Sequence, residues 1–309
     1  MKSKNLLYLL GLFLIPACKD DDTMVNPSDT PLAAQTLTNV SYGSDPEQQM
    51  DVYLPEGRDK NTPVVILLHG GGFILGNKSD FTTQSQLLSQ KGYAVLNVNY
   101  RLVDTSGLFS LPPVHHASDV TIHDQLDDIE KALDFARSKS DGWVVSDENI
   151  GITGHSAGGT LALLFAYGEH NNDGHVKVVG NWAGATTLAF NDASEFDGID
   201  PRYKEVFYRI VGAEVTNQNM LAFMAVSPYW VLNNAEEVPP TINIRPENNI
   251  LGDLPDNSAT EYQKFTNLLN DKGIVNKYVQ VAGADHGFGQ PGNWDTVVDE
   301  TDAFFEARM

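Results

Sequence analysis

Residues 149–159 read Asn-Ile-Gly-Ile-Thr-Gly-His-Ser-Ala-Gly-Gly. The run Asn149–Thr153 suits a short β-strand, and Ala157–Tyr167 (AGGTLALLFAY), rich in Ala and Leu, suits a helix. Between them, Gly154-His155-Ser156-Ala157-Gly158 fits the pattern G-x-S-x-G. A chain that turns from strand to helix in so few residues needs glycine on both sides of the serine. The turn projects the serine hydroxyl above the sheet, at the positive end of the following helix. Ser156 is therefore a candidate nucleophile. An idle serine in a glycine-rich turn is the bland alternative, and the strand before and helix after weigh against it.

Outward from this turn, apolar strands alternate with amphipathic helices, which predicts a parallel sheet covered on both faces. Val64–Leu68 (VVILL) is a continuous apolar run, as in a buried parallel strand. Gln49–Leu54 (QMDVYL) alternates like an edge strand. Further strands are expected at Tyr93–Val98, Val176–Trp182, Thr241–Ile244 and Asn276–Val281. Helices are expected at Phe81–Gln90, from Ile122 onward (Ile122, Leu126, Ile129, Leu133 and Ala136 at helical spacing), near 259–271, and from about 294 to 308. Residues 185–235 are less regular and read as a cap over the sheet's C-terminal edge. Their aromatics (Phe190, Phe196, Phe207, Tyr208, Phe223, Tyr229, Trp230) either line a pocket or form the cap's own core. The fold class is α/β, a mostly parallel, doubly wound sheet with a small cap insertion, over residues 37–309.

The N-terminus reads differently. Lys2 and Lys4 precede an apolar stretch, Leu6–Ile15, that is too short to span a bilayer. Ile15-Pro16-Ala17-Cys18 then resembles a lipobox, the signal for cleavage before a cysteine that receives lipid. Residues 1–17 are thus expected to be a lipoprotein signal peptide, with Cys18 the lipidation site and the membrane reached through that anchor. Cys18 is the single cysteine, so no intramolecular disulfide can form. Lys19-Asp20-Asp21-Asp22 resembles the acidic tag that sends some lipoproteins to the outer face of the outer membrane, and reads equally as a solvated spacer. Residues 18–36 have the composition of a flexible tether. A cell-envelope location, at the outer membrane and surface-exposed, is the expectation. The net charge of −21 excludes the basic surface that nucleic-acid binding needs.

Two more motifs fall in the order that the serine requires. His69-Gly70-Gly71-Gly72-Phe73 follows the strand VVILL. Backbone N–H groups of Gly71 and Gly72, with that of Ala157, are expected to form an oxyanion hole. Gly283-Ala284-Asp285-His286-Gly287-Phe288 follows the last predicted strand. A histidine there can reach back to Ser156, and among the eight histidines His286 best fits the chain order serine, acid, histidine. The chain has no H-E-x-x-H, cysteine pair, P-loop or dinucleotide fingerprint. No metal site and no cofactor are expected.

With these motifs in place, the chain resembles an α/β-hydrolase of the HGGG esterase/lipase group, including the feruloyl- and acetyl-esterase-like hydrolases of carbohydrate breakdown. The likeness runs from Met50 to Phe288 through DVYLPEG, PVVILLHGGGF, GYAVLNVNYRL, NIGITGHSAGG, SPYW, PPT and GADHGF. The resemblance implies hydrolysis of short-chain or carbohydrate-linked acyl esters without a metal or organic cofactor. Two positions depart from it. An Asp-Leu pair common in the group is Thr187-Leu188 here. And where the group carries its acid, in a pattern such as E-x-D-P-L-x-D, this chain has Glu247-Asn248-Asn249-Ile250-Leu251-Gly252-Asp253, so that Asn249 aligns with the acid. Three readings stay open: a shifted loop supplies Asp253 (the preferred acid) or Glu247, with Asp256 a lesser candidate; Asn249 orients the histidine weakly; or the protein is a catalytically impaired binding lipoprotein.

Overall fold

In the computed structural model of the chain, the described residues are 31–249 and 258–309. The apolar run Val64–Leu68 becomes strand β3 at the centre of one sheet, and its side chains divide by the two-residue period of a strand. Val64, Ile66 and Leu68 join one core cluster, while Val65 and Leu67 join the other. Burial on both faces is why this strand reads as continuously apolar. The other strands are β1 (Gln35–Ser41), β2 (Gln49–Leu54), β4 (Ala94–Val98), β5 (Ile150–His155), β6 (Val176–Trp182), β7 (Thr241–Asn248) and β8 (Asn276–Asp285). Their order is β1-β2-β4-β3-β5-β6-β7-β8. β1 and β2, and β2 and β4, pair antiparallel; every other pair is parallel.

Helices α1 (Thr82–Gln90) and α8 (Asn293–Glu306) cover one face, through Leu88, Val297, Val298, Phe304 and Phe305. Helices α2 (Ile122–Trp143), α3 (Ala157–Tyr167) and α7 (Ala259–Asp271) cover the other, where Ile129, Leu161, Phe165 and Phe265 join the cluster of Val64, Ile66 and Leu68. The stretch after β6 holds three short helices, α4 (Pro201–Val211), α5 (Met220–Ala225) and α6 (Pro228–Asn234). The α/β fold class expected from the sequence is the one found.

Four strands differ from expectation. QMDVYL is not an edge strand: β1 pairs outside it, and β2 is buried along nearly its whole length. β1 itself carries weak apolar content, and it begins at Gln35, inside the stretch read as a tether. Strands β7 and β8 run on to Asn248 and Asp285, beyond the apolar cores read as strands. Residues 1–17, Cys18, Asp253 and Asp256 lie outside the described residues.

Candidate active site

β5 ends at His155, and Ser156 takes φ 53° and ψ −121° before α3 begins. A positive φ on a residue with a Cβ costs about 1–3 kcal/mol, and such strain collects at functional turns. Ser156 N–H donates to Trp182 O at 2.8 Å, and Ser156 O accepts from Thr160 N–H at 3.0 Å. The turn closes so tightly against β3 that a Cβ on Gly158 would sit 2.4 Å from Leu68 O, which explains the glycine two places after the serine.

His286 follows β8 directly. Its Nε2 stands 2.9 Å from Ser156 Oγ, and its Nδ1 stands 2.6 Å from Asn249 Oδ1. An amide oxygen only accepts, so Nδ1 must carry the proton and donate it to Asn249. Nε2 is then the acceptor for the Ser156 hydroxyl. This is the tautomer that a general base toward Ser156 requires. The half-buried ring is pushed down to about 4 in pKa, chiefly by burial, with the nearby His155 adding to the effect and Asp285 opposing it.

Strand register explains how Asn249 comes to this place. Asn248 of β7 pairs with Asp285 of β8, so the next residue of each strand, Asn249 and His286, emerge side by side. Between Pro246 and Asn248 the register shifts, β8 holding the extra residues, with Gly283 at φ 71°. Glu247 projects to this irregularity and accepts from Gly283 N–H at 2.7 Å. Among the candidate acids, Glu247 is thereby engaged with the strand rather than with His286, whereas Asp253 falls outside the described residues.

The glycine loop after β3 completes the arrangement. Gly71 (φ 121°) and Gly72 (φ 61°) lie in the same cleft as Ser156 and His286. A Cβ on Gly71 would lie 2.0 Å from Leu75 O, so only glycine fits. Ala157, the third expected oxyanion donor, is the first residue of α3. The loop is held from behind: Tyr100 donates to His69 O at 2.7 Å, and Gln125 of α2 donates to Phe73 O at 2.8 Å.

Other cleft residues carried no motif. His155, the variable position of the turn, is half-buried, and its Nε2–H donates to His286 O at 2.7 Å. It anchors the backbone of the base that it precedes by 131 positions. Burial lowers its pKa. Phe81, Asp80, Gln84 and Trp294 also line this cavity of about 480 Å³. A second cavity of about 490 Å³ lies between the cap stretch and α7. Of the cap aromatics, Phe190, Phe207, Tyr229 and Trp230 line it. Phe196 and Phe223 pack as core, and Tyr208 lies against His115 with the ring planes tilted by 31°. Away from the cleft, ligand atoms of Asp127, Glu130 and His170 lie within 4.8 Å of one another, with His170 Nδ1 3.2 Å from Glu130.

The strand order, the strained serine turn at the C-terminal end of β5 and the histidine after β8 define an α/β-hydrolase of the HGGG type. A family model for BD-FAE matches residues 50–251, more than half of the chain. The chain belongs to the BD-FAE family. It is 32% identical over 137 residues to the para-nitrobenzyl esterase of Bacillus subtilis strain 168, covering 42% of this chain and 27% of that protein. Among solved structures it is similar to a truncated form of a carbohydrate esterase from gut microbiota (TM-score 0.67, 20% identity, 88% of this chain and 95% of that one). It is similar too to esterase B from Lactobacillus rhamnosis (TM-score 0.65, 19% identity, 91% and 89%). The chain spans only 27% to 38% of the length of the first curated relatives it matches.

Proposed function

We propose that the protein is a serine carboxylic-ester hydrolase that works through an acyl-enzyme on short-chain or carbohydrate-linked acyl esters. The observation that carries this reading is the 2.9 Å contact between Ser156 Oγ and His286 Nε2, with Nδ1–H committed to Asn249 Oδ1. Ser156 Oγ attacks the ester carbonyl as His286 Nε2 takes its proton. The N–H groups of Gly71, Gly72 and Ala157 hold the resulting oxyanion. Collapse breaks the carbonyl–alkoxy bond, and the departing alcohol takes the proton from His286. Water, deprotonated by the same nitrogen, then releases the carboxylic acid and restores Ser156. No step calls for a metal or an organic cofactor. The carbohydrate end of the range is supported by the likeness to a carbohydrate esterase. Anchoring in the cell envelope through Cys18, at the outer membrane, is supported by the lipobox pattern at residues 15–18.

A second reading draws on one observation: the group on His286 Nδ1 is an amide where a carboxylate would stabilise the imidazolium. On that reading the protein is a binding lipoprotein that keeps a hydrolase fold. A fluorophosphonate probe separates the two. Fast, stoichiometric labelling of Ser156, together with p-nitrophenyl acetate hydrolysis that Ser156→Ala abolishes without changing the melting temperature, supports the enzyme. A folded protein that neither labels nor turns over p-nitrophenyl acetate overturns it in favour of the binding reading.

A further inference from the structure

The turn that carries His286 is closed by its own bonds. Phe288 N–H donates to Asp285 O at 3.0 Å, and Gly289 N–H donates to Asp285 Oδ1 at 3.1 Å. His155 adds a bond to this turn from the serine strand, its Nε2–H donating to His286 O at 2.7 Å. The other ring nitrogen lies against the glycine loop: a Cβ on Gly70 would stand 2.9 Å from His155 Nδ1 and 3.1 Å from Ser156 Cβ. One imidazole thus abuts the glycine loop and grips the main chain of the base, while its own backbone leads into the serine. The ring is itself packed in place. Phe81, Phe288 and Trp294 lie around it with centroids 5.6, 6.1 and 5.7 Å away, and the His286 ring lies 5.0 Å away. Asn249 gives this grip more weight. The bond at His286 Nδ1 goes to a neutral amide, and a charge-assisted bond to a carboxylate would be roughly twice as strong. A base held weakly at Nδ1 depends more on the placement of its main chain.

We propose that His155 is a positioning residue for ester hydrolysis, whose side-chain N–H holds the main chain of His286 in register with Ser156 and the glycine loop. This rests on the ester-hydrolase reading above. His155 acts through His286 and takes no proton in the reaction. Misplacing a reacting group by about 1 Å can cost about 100-fold in rate, and losing one neutral hydrogen bond that partly holds it should cost about 10-fold. The loss belongs to the chemical step, because the grip acts on the base rather than on the substrate. The role requires the N–H donor at this position rather than the bulk of the ring.

The test compares kcat and KM for p-nitrophenyl acetate, and the rate of fluorophosphonate labelling at Ser156, in wild type, His155→Leu and His155→Gln. Leucine removes the donor, whereas the glutamine amide keeps an N–H near the place of Nε2. His155→Leu should lower kcat and the labelling rate by about 10-fold and leave KM within about 2-fold. His155→Gln should restore kcat to within about 3-fold of wild type. His155→Phe, which keeps a ring and lacks the donor, takes the place of the leucine variant should that one fold poorly. A donorless variant with the kcat of wild type overturns the inference. So does a loss confined to KM, or an equal loss of kcat in the leucine and glutamine variants, which would assign His155 to packing. Each of these leaves ester hydrolysis standing. A wild type that neither hydrolyses p-nitrophenyl acetate nor labels at Ser156 removes both readings.

Discussion

Replacing Asn249 by Asp would turn the 2.6 Å contact with His286 Nδ1 from an amide–imidazole bond into a carboxylate–imidazole bond with almost no change in volume. In the proposed cycle His286 becomes an imidazolium when it takes the proton of Ser156. Two unit charges about 4 Å apart at an effective dielectric of about 20 attract by about 4 kcal/mol. Part of this is offset by desolvating the new carboxylate in a half-buried site, and about 2 kcal/mol is left for the transition state. That corresponds to about 30-fold in rate. The gain should be smaller than the roughly 10⁴-fold loss seen when a serine protease exchanges its triad Asp for Asn, because part of that loss is a wrong tautomer. Here the amide oxygen already faces Nδ1. The assay is kcat/KM for p-nitrophenyl acetate across pH, together with the rate of fluorophosphonate labelling. Asn249→Asp should raise both by about 30-fold near pH 8, and the acidic limb of the profile should move upward as the new charge holds the imidazolium. An unchanged rate in a folded variant would refute the reasoning: it would mean that a carboxylate already serves the ring, with Asp253 the first to replace next.

Three further outcomes are expected. In wild type the acidic limb of kcat/KM should lie near pH 4 rather than near the ordinary histidine value of 6.5, since burial and the neighbouring His155 hold His286 down to about 4. Its folded form binds a proton less tightly than the unfolded chain does. This contribution to stability is present above 6.5 and is lost as pH falls from 6.5 toward about 4, a slope that urea midpoints measured across that window will detect. Asp128, its side chain fully buried on α2, accepts from Arg101 Nε and Nη2, both at 2.8 Å, and from Gln48 at 2.7 Å. Burial pushes its pKa up, and the Arg101 bonds more than reverse this. Asp128→Asn should cost about 3–5 kcal/mol in a denaturant titration, and a midpoint like that of wild type would show that Arg101 finds another partner.

The most legible parts of the fold were those with a strong local cause. Val64–Leu68 is apolar because both faces are covered, and the helix over Ala157–Tyr167 begins and ends where its composition says. β1 was hidden because its burial pattern is mostly exposed, and its place is decided by pairing with β2 rather than by its own residues. The ends of β7 and β8 were hidden for a related reason. Arg245 and Pro246 read as a loop, yet they pair with Gln280 and Val281 because the neighbouring strand runs on. In the site, Ser156, His286 and the glycine loop sit in motifs whose backbone demands restrict the residue types. His155, Gln84 and Trp294 have no such signature. Each reaches the cleft through tertiary packing: His155 beside the serine, Gln84 from α1, and Trp294 from the head of α8.

An amide at position 249 separates two tasks that a carboxylate performs together. Orientation is one of them, and Asn249 Oδ1 performs it: it selects the Nδ1–H tautomer and turns Nε2 toward Ser156. The backbone of His286 is held independently by His155, so the ring is fixed at both its side chain and its main chain. Stabilising positive charge on the ring is the other task. A neutral amide contributes little to it, and burial of His286 works against it. The consequence falls on the proton-transfer part of the reaction rather than on geometry. Transition states in which the serine proton has moved far onto His286 lose the most, and those in which a good leaving group departs with little help lose the least. In the proposed mechanism the N–H groups of the glycine loop act on the other charge, the one on the substrate. On the proposed mechanism, a serine aligned with His286 Nε2 and an Nδ1–H held by Asn249 predict slow, leaving-group-dependent ester hydrolysis rather than none.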